Sequence, residues 1–374
     1  MIPSRKAHFA FATDFPGMAA CCLVDQSLNV LYFCNEDAVL GGSSFLKRFD
    51  LSSYTGNEWA EPNRLSRDTM KNRSCLLDRC GEVLAIYGEA PELVKLDSSE
   101  VIYAERTGCG QQDWDDYSWV QYWNGKAYRG VSFYGEGVDV ISLAEGQAVL
   151  GRLDIDIEFN DQWHGQYFAG LRNSGRIAVY AVDEERYVFD VPAEHYVFRD
   201  DPAVLGRVAF DRGRVFFIAG DTLLVGDLES GSILFEIKYL VSAKMQAFLQ
   251  EFSYDGRNAY ATQMVVQGDK VFLSSSILKG YILCIDLQVQ DVIWLRGYQH
   301  RVKGLVTKGD LVYGAAALIP TAWDIHTGEQ VWAAEGGIDA VSAQISDQWL
   351  IFSGSAGDTK CFKLETPYQS SAKV

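Results

Sequence analysis

Short runs in which apolar and polar residues alternate recur along the chain, and most end at Gly, Asp or Asn. Period-two alternation bounded by turn residues predicts β-strands rather than helices. Four strands fit each of several segments. The clearest segment gives strands at 261–268, 270–275, 280–287 and 292–295. The next gives 302–309, 311–316, 321–325 and 331–334, and the preceding one 205–211, 214–220, 222–228 and 233–237. A further segment holds strands at 119–123 and 127–133 joined by Asn124-Gly125, a strong short hairpin signal.

One phrase returns near the end of successive segments. Its cleanest copy runs Ala322-Trp323-Asp324-Ile325-His326-Thr327-Gly328-Glu329-Gln330-Val331-Trp332. Other copies place Asp286, Gln290 and Trp294, or Asp227, Gly231 and Phe235, at the same offsets. A worn copy has Ser142, Gly146 and Leu150, and the first segment has Asp50, Gly56 and Trp59 with extra turn residues. Asp bonds its own backbone and Gly accepts positive φ, so the phrase reads as a hairpin turn. The large residue after it lands on the returning strand, where a ring can fill the gap between sheets. Repetition at roughly 40–50 residues is the mark of a solenoid or propeller.

The last segment supplies only three strands, at 341–346, 349–353 and 359–364. The run at residues 8–13 has no other partner and is expected to complete it, which would bury edges an open array leaves exposed. The expectation is therefore an all-β, eight-bladed propeller forming one domain over residues 1–374, with a loose tail from 366. Seven blades is the alternative, if the fourth segment is an insertion.

The phrase from Ala322 to Trp332 resembles the repeat of quinoprotein-type propellers, the pyrrolo-quinoline-quinone-like repeat family. That resemblance extends in weaker copies over residues 45–335. It implies eight four-stranded blades around a channel. Its members include quinone-dependent dehydrogenases, outer-membrane assembly scaffolds and proteins with no cofactor, so the likeness does not select an activity.

Composition narrows the choice. Hydrophobic residues make up 48% and aromatics 13%, with 34 Gly and 8 Pro, which suits many strands, many turns and a large core. No apolar run reaches the length of a membrane span. Phe9 to Ala20 is broken by Asp14 and Pro16, so no export signal is expected and a cytoplasmic location is. Eight cysteines lie at 21, 22, 34, 75, 80, 109, 284 and 361 without metal-ligand spacing. Adjacent cysteines stack on the cofactor in quinone-dependent relatives, but no cofactor motif surrounds Cys21-Cys22, and both read as buried filler. No cofactor is expected.

The net charge is −17, and residues 89–201 hold 22 acidic against 9 basic residues. A field of that sign repels nucleic acid and anionic membrane and attracts basic partners. Within it, Asp113-Trp114-Asp115-Asp116-Tyr117 combines acids with rings suited to a binding surface. Asp154, Asp156 and Glu158 alternate with Ile155, Ile157 and Phe159, so the three carboxylates share one strand face. They suit an acidic ridge, a solvated face or a hard cation. Asp183-Glu184-Glu185 reads as an exposed acidic turn. His8, His164, His195, His300 and His326 have no metal-ligand spacing, and Ser353-Gly354-Ser355-Ala356-Gly357 falls between strands, where a nucleophile elbow does not form. The chain reads as a non-enzymatic protein-binding propeller, monomeric when free. In its sharpest form it is an acidic inhibitor or immunity protein masking a basic toxin. A generic scaffold, or an enzyme or sugar-binding site at the channel mouth, are the alternatives.

Overall fold

Neighbouring strands in the computed structural model pair antiparallel throughout, in sheets of three or four. It describes residues 18–25, 30–36, 45–51, 63–64, 76–80, 82–87, 92–96, 98, 100–104, 119–130, 137–144, 146–157, 163–193, 208–252, 259–275, 279–354 and 359–364. Sheet I holds β1 (Met18–Asp25), β2 (Val30–Glu36), β3 (Phe45–Asp50) and β4 (Asn63–Arg64). Sheet II holds β5 (Leu76–Cys80), β6 (Val83–Tyr87), β7 (Glu92–Lys95) and β8 (Val101–Ala104). Sheet III is β9 (Trp119–Trp123), β10 (Lys126–Gly130), β11 (Val138–Ser142) and β12 (Ala148–Leu153).

Sheet IV is β13 (Trp163–His164), β14 (Tyr167–Arg172), β15 (Arg176–Ala181) and β16 (Arg186–Pro192). Sheet V is β17 (Ala209–Asp211), β18 (Arg214–Ala219), β19 (Thr222–Asp227) and β20 (Ile233–Lys238). A helix, α1 (Ala243–Glu251), follows, its first turn capped by the Ser242 hydroxyl accepting from Met245 N. Sheet VI is β21 (Gln263–Gln267), β22 (Lys270–Ser274), β23 (Tyr281–Asp286) and β24 (Asp291–Gly297). Sheet VII is β25 (Val302–Lys308), β26 (Leu311–Ala316), β27 (Ile319–Asp324) and β28 (Gln330–Ala333). Sheet VIII has three strands among the described residues: β29 (Ala340–Ile345), β30 (Trp349–Gly354) and β31 (Thr359–Lys363). Strand order follows chain order in every sheet. The run at 8–13 and the tail from 366 lie outside the described residues.

In sheets IV to VII the second and third strands are buried and largely apolar on both faces. In β18, Phe216 and Ile218 pack with sheet VI, while Val215, Phe217 and Ala219 pack with sheet IV. In β15, Ala178 and Tyr180 face the sheet III side, and Ile177, Val179 and Ala181 face sheet V. Opposite pleats thus serve opposite neighbours, and the core is a series of layers between sheets. That is why these strands read as near-continuous apolar runs rather than alternating ones.

The repeated phrase forms the expected turn. Asp324 Oδ1 accepts from the backbone of His326 and Thr327 at 2.9 Å, and Gly328 N donates to Asp324 O. Asp227 caps Ser230 in the same way, and Asp286 caps Gln288. Gly231, Gly328 and Gln290 occupy the left-handed turn position with φ of 69°, 67° and 56°.

After each such turn the third and fourth strands share one irregularity. Ile102, Leu150, Val188, Leu234, Ile293 and Val331 are each an extra residue on the fourth strand, so that Cys284 pairs Trp294 while Ile285 pairs Val292. A bulge at this point bends the outer strand, increases its twist and re-aims the ring that follows. In sheet III the turn is one residue longer, with both Gly146 and Gln147 at positive φ. Leu150 is therefore solvent-exposed and does not plug the gap, a correction to the sequence reading. Sheet IV carries a copy invisible in sequence: Ala181 stands at the Asp position, Glu185 takes φ 50°, and Phe189 is the buried ring.

Candidate functional site

Consecutive sheets are linked through their first hairpins, and this places several rings side by side. Gln267 Nε2 donates to Gly309 O at 2.7 Å, Lys308 Nζ to Ser346 O at 2.6 Å and Arg214 Nη2 to Gly268 O at 2.9 Å. Each joins the first hairpin of one sheet to that of the next. At sheets III to V the same seam is aromatic. Trp123 lies about 3.5 Å from the Cβ position of Gly165, His164 stacks on Phe210 at 5.1 Å, and Tyr167 stacks on Phe210 at 6.2 Å. Trp123, Tyr167 and Phe210 are half-buried and His164 is exposed.

The acidic turn Asp183-Glu184-Glu185 joins β15 to β16 at the same end of the sheets. All three side chains are exposed, as the sequence predicted. Trp123 Nε1 donates to Asp183 Oδ2 at 2.8 Å across the boundary between sheets III and IV, and Glu184 pairs with Arg186. Among the described residues Glu185 makes neither kind of contact. The field of the turn reaches the core: the Tyr128 phenol is pushed up to about 12 by burial, then by the charges of Asp183 and Glu185. Tyr180 is raised by burial and then by Glu185 and Asp154, so those two carboxylates bear on one phenol.

The second predicted cluster is only partly an exposed ridge. Ile155 and Ile157 are buried and Asp154 is exposed, in line with the predicted alternation. Asp156 is engaged: its Oδ1 accepts from Arg172 Nε at 2.7 Å and from the Tyr187 hydroxyl at 2.5 Å. Arg172 also donates to Asp190, which Arg176 holds from its other side, and stacks 4.0 Å above the Tyr187 ring. Burial by itself raises the Asp156 pKa, but the Tyr187 and Arg172 hydrogen bonds and the Arg172 charge outweigh it and hold the carboxyl below its ordinary value. A carboxylate already matched to a guanidinium is a poor ligand for a cation. Among the described residues no group of three His, Cys, Asp or Glu is arranged to hold a metal. Glu158 and the whole of Asp113, Trp114, Asp115, Asp116 and Tyr117 lie outside the described residues.

The sequence places Trp123 on a strand and gives no reason to bring it together with His164, Tyr167 and Phe210. These rings come from three sheets, and no spacing along the chain announces that they meet. Cys284 is buried, its thiol pushed up to about 12 by burial, so it is no nucleophile at neutral pH. No described helix is long and apolar enough to cross a membrane.

No protein-family model matches the chain, and no curated protein sequence matches it. Solved structures do. The chain is similar over 94% of its length to 98% of the computationally designed Ika8 protein, with a TM-score of 0.64 and 13% identity. It is similar over 95% of its length to all of BamB from Moraxella catarrhalis, at a TM-score of 0.59 and 11% identity. Over 96% of its length it is similar to all of Saccharomyces cerevisiae Sqt1, at 0.64 and 11%. At these identities the likeness speaks to fold alone, and the fold is a β-propeller.

Proposed function

We propose that the chain is a closed, single-domain ring of eight blades that binds a protein partner through the aromatic and acidic end of sheets III to V. β1 packs against β29 and β30, which supports closure between the first sheet and the last. In this reading residues 8–13 add the fourth strand of sheet VIII, in the manner of the quinoprotein-type repeat the sequence resembles. The observation that carries the function is the exposed turn Asp183-Glu184-Glu185 beside the half-buried rings of Trp123, Tyr167 and Phe210. Rings presented next to net negative charge supply contact area and steer a basic partner.

The sharper form of the proposal is a cytoplasmic, acidic inhibitor or immunity protein that masks a basic toxin or effector, supported by the net charge of −17. Asp154, which follows β12 at the other end of the sheets, with Asp113 to Tyr117 and Glu158, would add to the same negative field. The test compares the chain with a variant carrying Asp183→Asn, Glu184→Gln and Glu185→Gln. A partner captured from the native host should associate about tenfold more slowly with the variant, and more slowly with both as salt rises. An association rate that neither change alters would remove this face as the binding site.

A further inference from the structure

At the opposite end of the sheets, on a protein of strongly negative net charge, two cations converge on one carboxylate. Arg301 Nη2 donates to Asp339 Oδ2 at 3.1 Å, and Lys303 Nζ stands 3.8 Å from Asp339 Oδ1. Arg301 immediately precedes β25, Lys303 is the second residue of that strand, and Asp339 precedes β29, so the group straddles the first strands of sheets VII and VIII. The Lys303 side chain is only 16% exposed, yet its ammonium makes no hydrogen bond among the described residues. Among the described residues these three strong donors face one counter-ion, at 3.8 Å.

The backbone holds Lys303 there. β25 departs from regular pairing between Lys303 and Val306, and Gly304 takes φ 66° at the irregularity. Gln263 Oε1, from the inner strand of sheet VI, accepts from Gly304 N at 2.6 Å and pins the bulge. Gly280 lies against the backbone of His300, Arg301 and Val302, where a Cβ would come within 2.7 Å. β29 carries its own irregularity between Ala340 and Ser342. Bulges are a common device for re-aiming a side chain beside a site. A third cation, Lys360, donates to Gly337 O, two residues from Asp339. Burial, and then the charge of Arg301, lower the Lys303 pKa in spite of Asp339.

We propose that Arg301 and Lys303, with Asp339 as a resident placeholder, form a binding site for the oxyanion of a small molecule, a phosphate or a carboxylate, between sheets VII and VIII. A guanidinium fork and an ammonium on a stem are the complementary donors for such a group. Its arrival would satisfy the Lys303 donors and balance the surplus positive charge.

Calorimetric titration at low ionic strength with inorganic phosphate and, separately, acetate tests the site. At least one should bind saturably, and the tighter of the two names the chemistry. Lys303→Met should weaken that binding about tenfold or more, and Arg301→Gln should do the same. Asp339→Asn removes the competing carboxylate and should tighten binding several-fold, a change of sign that a merely structural role for Asp339 would not produce. Absence of saturable binding by both probes, binding unaffected by Lys303→Met, or binding weakened by Asp339→Asn would each overturn the proposal.

Discussion

The indole of Trp294 in sheet VI lies flat against Gly328 in the turn of sheet VII. A Cβ on Gly328 would stand 2.5 Å from the ring, and Trp294 Nε1 donates to Ile325 O at 3.0 Å in that same turn. The glycine of the repeated phrase therefore answers two demands, a left-handed backbone and contact with the ring delivered by the preceding sheet. A Cβ on Gly226 of sheet V would likewise stand 2.5 Å from the Phe189 ring of sheet IV, and Trp332 packs on Phe362 of sheet VIII.

Gly328→Ala should destabilise by about 1–2 kcal/mol from the left-handed backbone and about 1–3 kcal/mol from overpacking against the ring. Trp294→Ala should cost about 3–5 kcal/mol. The two should be non-additive, the double variant losing less than the sum, because removing the ring makes room for the new methyl. Urea unfolding of the four proteins measures this. Strict additivity would show that the ring and the glycine are not energetically coupled.

Tyr239 bridges sheets V and VI from full burial. Its hydroxyl donates to Gly220 O at 2.7 Å and accepts from Ala261 N at 2.9 Å. Tyr239→Phe strands both backbone groups away from water, and the expected loss is about 1–3 kcal/mol. Hydrogen exchange at Ala261 should accelerate in the variant. An unchanged rate there, with unchanged stability, would mean that water replaces the hydroxyl.

Stability should fall in acid through the phrase's own carboxylate. Burial raises the Asp324 pKa, but hydrogen bonds from Thr327 and His326 outweigh it, leaving the folded value below the ordinary 3.8. A depressed folded pKa means a stabilising contribution that is fully present above the unfolded value and lost as pH falls through the folded one. Relative to Asp324→Asn, the wild-type advantage should hold constant from about pH 7 to about 5 and shrink below about 4. Asp156 and Asp286 are lowered in the same sense. An advantage that survives unchanged into strong acid would show that the charge of Asp324 is irrelevant to the turn.

Cys284 and Cys361 are both buried. With the Cys284 thiol raised to about 12, iodoacetamide at pH 8 should leave it unmodified in the folded protein and alkylate it fully in urea. Peptide mapping reads the outcome, and rapid native-state labelling of Cys284 would contradict its placement between sheets VI and VII.

Much of the fold is legible in the chain because strand pleat and turn chemistry are local. Residues 270–275 and 311–316 are predicted within a residue of β22 and β26, since a Gly-Asp turn precedes each run and sets where the strand begins. The Asn124-Gly125 hairpin forms with both residues at positive φ. Leu150 fails because one added turn residue, absent from the turns of sheets V, VI and VII, slides the register of β12 and turns that side chain to solvent. α1 was not anticipated; its Ser242 cap is a weak signal amid strands.

Sites fared differently. The exposure of Asp183, Glu184 and Glu185 could be read directly, because a charged turn between apolar strands has nowhere else to go. That Asp156 would be claimed by Arg172 and Tyr187, 16 and 31 residues away, could not. The meeting of Trp123, His164 and Phe210, or of Lys303 and Asp339, depends on which strands stand innermost in adjacent sheets. The sequence by itself determined strands, turns and the repeat, since each depends on residues a few positions apart. Only the tertiary structure decided which charges are matched and which rings are shared, because those contacts cross the boundaries between sheets, where chain distance carries no information.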